Sequence, residues 1–298
     1  MNQASVTVAI LTYNREQWVV EAVRSVLAQS FPDLECLVID DGSSDNTRAV
    51  LQDVFDPRLR LLCRPHSGHI AALRQLALDE ARGEYLAFLD SDDRWDEDFL
   101  AESIALLDAD PALIFTFTNV RTLNRQGIIR QAVYEPDQAG SRSFFMDLVT
   151  GRLAVYGSSA VVLRTHIGRR LAYDASFRVG DHNFLTRLAH QGPACMLARV
   201  LVSIHYHQNN LSSRNQLEDC REMVRTIVEC AERKWLSRLM GRRLAAPFLY
   251  RLGYLSQRSG GRREAMVAYA KAWLAKPWHL KSLLRLLQIL LKPATRRE

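Results

Sequence analysis

Along the first half of the chain, short runs of β-branched and aliphatic residues alternate with longer segments whose apolar positions recur every three or four residues. VTVAIL precedes EQWVVEAVRSVLAQ, ECLVID precedes DNTRAVLQDV, LRLLC precedes HIAALRQLALDEA, and YLAFLD precedes EDFLAESIALLD, before LIFTFTNV closes the series. Short, nearly continuous apolar runs suit strands buried on both faces, and the segments between them suit crossover helices. The pattern predicts an α/β fold with a mostly parallel central sheet flanked by helices. Ligands of such sheets gather at the carboxyl ends of the strands. Three polar clusters fall there: TYNRE, DDGSSDNT and DSDD.

From Gly140 to His207 the pattern is less regular. A helix near Phe144 to Thr150, a strand in SSAVVLR, a helix near Asp181 to Gln191 and a strand through ARVLVSIHYH form an α+β half that completes the site. From Gln216 onward, spacing of three and four in EMVRTIVECAERKWLSRLM and LKSLLRLLQILL predicts helices only. A boundary near Ser213 divides the chain into a catalytic domain over 1–213 and an all-α extension over 214–298.

Composition narrows the classes. At 298 residues and 48% hydrophobic content the chain buries a real core. Its net charge of +6 is uneven: Arg251 to Glu298 holds eleven Lys/Arg against Glu264 and Glu298. Five cysteines without a CxxC pair suggest buried thiols in a reducing compartment. The start, MNQASVTVAILTYNRE, lacks a basic leader region, and no apolar run reaches the roughly 18 residues of a spanning helix. The expectation is a cytoplasmic protein whose tail is a candidate for peripheral contact with the inner face of a membrane. GxGxxG after the first strand, GxxxxGK[ST], HExxH and GxSxG are all missing, which weighs against a dinucleotide dehydrogenase, a P-loop enzyme and a serine hydrolase.

The densest chemistry lies in YLAFLDSDDRWDED, where Asp90, Asp92, Asp93, Asp96, Glu97 and Asp98 fall within nine positions. Strand alternation would point Asp90 and Asp92 to one side and Asp93 to the other. Two converging carboxylates repel unless a cation lies between them. Oxygen ligation by few protein groups suits Mg²⁺ or Mn²⁺ held jointly with phosphate oxygens. The acids from Asp93 to Asp98 read as the beginning of the next helix. Asp40 closes an apolar strand and needs a donor, such as a nucleobase N–H or a ribose hydroxyl. Gly42 permits a tight turn, and Ser43 to Asp45 are capping residues.

VAILTYNRE, VIDDGSSDNT and HSGHIAALRQLALDEARGEYLAFLDSDDRW, in this order and spacing, resemble glycosyltransferase family 2. These are inverting enzymes of the GT-A fold, the nucleotide-diphospho-sugar transferase-like architecture, and they use nucleotide-sugar donors. The likeness is close from Val6 to Trp95 and looser to Ser213. It implies that Thr12, Tyr13 and Asn14 line the nucleoside pocket, that Asp40 holds the base with Asp41 beside it, and that Arg74 lies near the donor. Asp90 and Ser91 would face the ribose and sugar, Asp90 sharing the metal with Asp92, the direct ligand. Gln75 departs from the family's usual Asn after this arginine.

FRVGDHNFLTRLAHQG resembles the family's acidic-pair motif, which puts Asp181 at the general-base position and Arg187-Leu188 at a helix landmark, with Gly180 where a Glu is usual. As a residue alone, Asp181 also reads as a helix N-cap. HYHQNN resembles the segment that closes over the diphosphate. There His207 either completes the metal shell, donates to a phosphate oxygen, or is an ordinary loop histidine. His205 is a second candidate, and His66 and His69 read as pocket wall.

The tail carries a second resemblance. Leu252-Gly253, Ala265, Tyr269, Ala272 and Pro277 match one tetratricopeptide-like hairpin. AWLAKPWHLKSLLRLLQILLKPATRR has the composition of an interfacial helix, or of an amphipathic helix packed on protein with a solvated basic face. The expected activity is metal-dependent, inverting transfer of a sugar from a nucleotide-diphosphate donor to a hydroxyl of a glycan or lipid-linked acceptor, in cell-envelope or extracellular polysaccharide synthesis. No nucleic-acid partner is expected. A sugar nucleotidyltransferase and a non-catalytic nucleotide-sugar-binding adaptor are the alternatives.

Overall fold

Every residue of Leu34–Asp40 (β2) and all but one of Val6–Thr12 (β1) are buried, as strands covered on both faces require. The computed structural model describes residues 4–124, 126–135, 138–153, 158–207 and 216–291. Strand β1 pairs in parallel with β2 on one side and with Tyr85–Asp90 (β4) on the other. The register sets Thr12 opposite Asp40 and Leu11 opposite Asp90, so the polar residues that end these strands share one edge. Leu59–Cys63 (β3) continues the parallel half beside β2.

Beyond β4 the sheet is mixed. Its order is β3-β2-β1-β4-β9-β6-β10-β5, with Val161–Arg164 as β9, Phe115–Asn124 as β6, Ala194–His205 as β10 and Arg94–Trp95 as β5. Strand β9 runs antiparallel to both neighbours, whereas β6 and β10 are parallel. Gly127–Arg130 (β7) and Gly140–Arg142 (β8) add short antiparallel pieces.

Helices Val19–Leu27 (α1), Thr47–Gln52 (α2), Ile70–Glu80 (α3) and Phe99–Ala109 (α4) follow the expected strands, and Phe145–Thr150 (α5), Thr165–Leu171 (α6) and Asp181–Ala189 (α7) belong to the second half. Helix α1 buries Val19, Ala22, Val23 and Val26, one face of a 3.6-residue period, against a core that includes Val8, Ile10, Leu100 and Ile104.

One local expectation fails. The alternation through Asp92 stops at Asp90, because the Asp93 N–H donates to the Asp90 carbonyl at 3.0 Å and closes a turn. Arg94 and Trp95 then pair with Ser203 and Val202 of β10, and the Asp96 N–H donates to the Leu201 carbonyl. Asp93 and Asp96 therefore do not open a helix; α4 starts at Phe99, and of these acids Asp98 stands at its N-cap. A strand partner more than 100 residues away decides this, and local sequence carries no trace of it.

Residues 1–207 and 208–298 form two compact units. The boundary expected at Ser213 lies outside the described residues. In the second unit, Gln216–Glu232 (α8), Arg238–Arg258 (α9), Arg262–Ala275 (α10) and Leu280–Leu291 (α11) are all helical. The hairpin of α9 and α10 closes where the sequence places it: a Cβ on Gly253 would stand 2.9 Å from the ring of the fully buried Tyr269. Arg221 holds Glu264 through two bonds of 2.8 and 2.9 Å. All five cysteines are free, and all but Cys63 are buried.

Candidate active site

The loops after β1, β2 and β3 are laced together. Asn14 Oδ1 accepts from the Ser44 N–H at 2.8 Å, and the Asn14 N–H donates to Ser43 Oγ at 2.9 Å. Asp41 accepts from the N–H groups of Ser67 and Gly68, each at 2.9 Å, and so fixes the loop that leads into α3. Gly42 fits because its φ is +76° and a Cβ there would lie 2.6 Å from the His66 nitrogen. His66 in turn stacks on Tyr13, with ring centroids 3.9 Å apart, so the two form a half-exposed aromatic platform. Asp40 is fully buried; Ser43 donates to its Oδ1 through both N–H and hydroxyl, and Arg48 Nε lies 3.7 Å from its Oδ2. Thr12 is buried beside it with an Oγ1 that finds no partner.

The turn after β4 is built around Ser159. Its hydroxyl donates to Asp93 Oδ2 at 2.7 Å and accepts from the Asp90 N–H at 3.0 Å, while its carbonyl accepts from Trp95 Nε1. Asp93 also accepts from the His205 N–H. Burial, reinforced by the charges of Asp90 and Asp92, pushes the Asp93 carboxyl well above the usual carboxylate range. Asp93 thus points inward and anchors the turn, and Ser91 is buried with it. Asp90 and Asp92 remain on the accessible side.

Asp92 accepts from His207 Nε2 at 2.9 Å, with Arg15 Nε at 3.8 Å. The His207 ring stacks on Trp18 at 5.2 Å, and His205 tilts against the same indole. Burial and the Asp90 charge push the Asp92 carboxyl upward, against the pull of Arg15 and His207. A carboxylate whose proton affinity is raised by a neighbouring carboxylate also favours a divalent cation, and carboxylate oxygens suit Mg²⁺ or Mn²⁺. Among the described residues, no three His, Cys, Asp or Glu side chains gather at metal-ligand spacing. Asp90 and Asp92 would supply only part of such a cation's shell.

Asp181 reaches the same edge from the start of α7. Gly180 precedes it at φ +78°, a left-handed conformation that disfavours the Glu usual in the family motif. Arg74, 3% exposed, joins the two halves: its Nε lies 2.6 Å from Asp181 Oδ1, and Nη2 donates to Asp181 Oδ2 at 3.0 Å and to Asp90 Oδ1 at 3.1 Å. Burial opposes the guanidinium charge, yet Asp181 and Asp90 more than offset it and hold Arg74 in its charged form. Tyr173 adds a long hydrogen bond of 3.4 Å to Asp181 Oδ1, and burial beside that carboxylate pushes its phenol well above the ordinary value. His182 is pushed down to about 4 by burial and is neutral near pH 7. Arg187 is structural, donating to the carbonyls of Ala172 and Leu171.

Arg74 thus bonds Asp90 and Asp181 into one group, and Asp92 with His207 forms a second that feels the Asp90 charge. Residues 7–161 match the family described as Glycosyl transferase family 2, just over half of the chain. The chain belongs to glycosyl transferase family 2. Its family 2 region is 34% identical over 133 residues to WfgD of Escherichia coli, named as a UDP-Glc:alpha-D-GlcNAc-diphosphoundecaprenol beta-1,3-glucosyltransferase, and the match covers 45% of this chain and 52% of that one. It is 31% identical over 153 residues to TuaG of Bacillus subtilis (strain 168), whose name assigns it provisionally to teichuronic acid biosynthesis, over 50% of this chain and 60% of that one. The chain thus spans about half to three-fifths of the length of these relatives.

Among solved structures, S. aureus TarS 1-349 in complex with UDP-GlcNAc superposes with a TM-score of 0.70 at 20% identity, covering 96% of this chain and 87% of that one. A mannosyltransferase from Pyrobaculum calidifontis, in complex with GDP-Man and Mn²⁺, gives a TM-score of 0.59 at 19% identity, covering 100% of this chain and 89% of that one. The GT-A fold read from the sequence is the fold of this family 2 chain.

Sequence reasoning missed Ser159, Arg15, Trp18 and Tyr173. Arg15 sits inside TYNRE and could have been found there. Ser159 and Tyr173 are set by contacts across the sheet and between helices, and nothing around them in the sequence marks them.

Proposed function

We propose that the chain transfers a sugar, with inversion, from a nucleotide-diphosphate donor to a hydroxyl of a glycan or lipid-linked acceptor, in envelope or extracellular polysaccharide synthesis. The observation that carries this reading is the Arg74 fork, which sets Asp181 next to Asp90 at the carboxyl edge of the sheet. The names of WfgD and TuaG support the acceptor class by likeness.

The donor's base lies on the Tyr13–His66 platform, with Thr12 and Asn14 as wall and the partnerless Thr12 hydroxyl beside it, while the buried Asp40, expected to hold the base, is itself held by Ser43 and Arg48. Asp41 acts by shaping the loop. Asp90 faces the sugar and ribose, whereas Ser91, expected beside it, is buried with Asp93. Asp92 would hold Mg²⁺ or Mn²⁺, with His207 as its companion once Nε2 gives up its proton. Such a cation supplies positive charge against the diphosphate oxygens as charge grows there. Arg74 fixes Asp181 at this edge, where its carboxylate accepts the acceptor hydroxyl's proton as the oxygen attacks the anomeric carbon opposite the departing diphosphate. An α-linked donor then gives a β-linked product.

Thermal melting with nucleoside diphosphates tests the donor half, because a ligand that binds the folded state raises its melting temperature. The parent should gain stability with UDP or GDP plus Mn²⁺, and Asp92→Ala should lose the Mn²⁺-dependent part. Equal stabilisation in chelator would overturn the metal role.

A further inference from the structure

Helix α11 is apolar on two opposite sides. One side is satisfied: Ile289 is buried with Ala265 and Tyr269, and Leu286 packs beside them. The other side carries Leu280, Leu284, Leu287 and Leu291, spaced four, three and four residues apart and therefore in one stripe. These four are exposed by 43 to 81%, and Trp278, in the turn before the helix, by 67%. Scattered exposed leucines need no explanation, but an aligned row of four does.

The charge around this stripe identifies its occupant. From Arg238 to Leu291 there are eleven Lys/Arg and one acid, Glu264. That carboxylate is engaged by Arg221 and Ser256, and Asp219 of α8 faces Arg251 from outside the stretch, which still carries a large cationic surplus. Lys271 and Lys281 are exposed close to the stripe in sequence, and the Arg243 guanidinium lies 5.8 Å from the Trp278 ring. Nucleic acid would use the cations but offers nothing to a ridge of leucines. An anionic lipid leaflet offers both layers in the right order, phosphate headgroups over hydrocarbon, with indole favoured at the boundary. Among the described residues no helix is long and apolar enough to cross a membrane, so the contact is lateral.

We infer that α11, with the basic residues of α9 and α10, docks the second unit on the surface of an anionic phospholipid membrane. The inference is independent of the proposed transfer reaction, since vesicle binding needs neither donor nor metal. The test is co-sedimentation of the full chain with vesicles of phosphatidylcholine alone, or of phosphatidylcholine and phosphatidylglycerol at two to one.

The parent should pellet with the anionic vesicles, release with added salt and ignore the neutral ones. Leu284→Gln/Leu287→Gln, and separately Lys271→Gln/Lys276→Gln/Lys281→Gln, should each lower partitioning roughly tenfold or more. The two leucines are exposed, so circular dichroism and the melting temperature of their variant should match the parent. Failure of the parent to bind anionic vesicles, or unchanged binding by both variants, would overturn the inference. Two further results would do the same. One is loss of a dimer by light scattering in the leucine variant with vesicle binding intact, which would assign the stripe to a second copy. The other is tight polynucleotide binding with no vesicle binding.

Discussion

Replacing Arg74 by Met removes the cation shared by Asp90 and Asp181 while keeping much of the side chain's volume. In the parent the Arg74 side chain is 4% exposed and that of Asp181 17%, with N–O distances of 2.6 to 3.1 Å to the two carboxylates. Opposite charges about 4 Å apart attract by about 4 kcal/mol at an effective dielectric constant near 20, which bounds each pair from above. Removing one partner of a buried pair strands the other, a net loss of about 3–5 kcal/mol. Urea denaturation of the full chain, followed by circular dichroism, should show that loss for Arg74→Met. Adding Asp181→Asn removes the stranded charge, so the double variant should recover at least about 1 kcal/mol relative to the sum of the singles. Arg74→Met within about 1 kcal/mol of the parent would place the fork in the class of exposed ion pairs and refute the reasoning. Strict additivity would refute the coupling to Asp181.

Ser159→Ala leaves buried Asp93 and the Asp90 N–H each short of a partner, and should cost about 1–3 kcal/mol in the same urea titration. Ser159→Thr, which keeps the hydroxyl, should retain more of that stability than the alanine variant. In the second unit, burial and the neighbouring Glu222 raise Asp219 to about 6 in the folded state, above its ordinary 3.8. The unfolded chain ionises first as pH rises through 3.8, so the folded state falls behind between there and about 6, and the deficit is constant above. Asp219→Asn should therefore stabilise by about 1–2 kcal/mol at neutral pH, discounted for partial exposure, and the gain should vanish below about pH 4. A gain of the same size at both pH values would contradict this.

The parallel half of the sheet was legible because VTVAIL, ECLVID and YLAFLD are each buried on both faces, and burial on both faces is written directly into local composition. The grouping of Asp90, Asp92 and Asp181 was reachable by combining strand-end position with the family resemblance. The course of the chain after Asp90 was not. Whether the acids there start a helix or pass into a strand depends on the pairing of Arg94 and Trp95 with β10. Asp93 looked like helix punctuation because its partners, Ser159 and His205, arrive from far along the chain. The left-handed backbone at Gly180 explains after the fact why the acidic pair is half kept. In the tail, periodicity predicted α11 but could not say that only one of its apolar sides is covered.

In the proposed inverting sugar transfer Asp181 takes the acceptor proton, a role with a sharp signature. It is tested most directly by incubating the purified chain with a panel of UDP- and GDP-sugars, Mn²⁺ and glycan or lipid-linked acceptors. Nucleoside diphosphate release is followed, and the anomeric configuration of the product is read by nuclear magnetic resonance. An α-linked donor should give a β-linked product, and Asp181→Asn should lower kcat by about 100- to 10,000-fold while leaving donor-induced stabilisation in place. A product of retained configuration, or transfer by Asp181→Asn at the parent rate, would contradict the account.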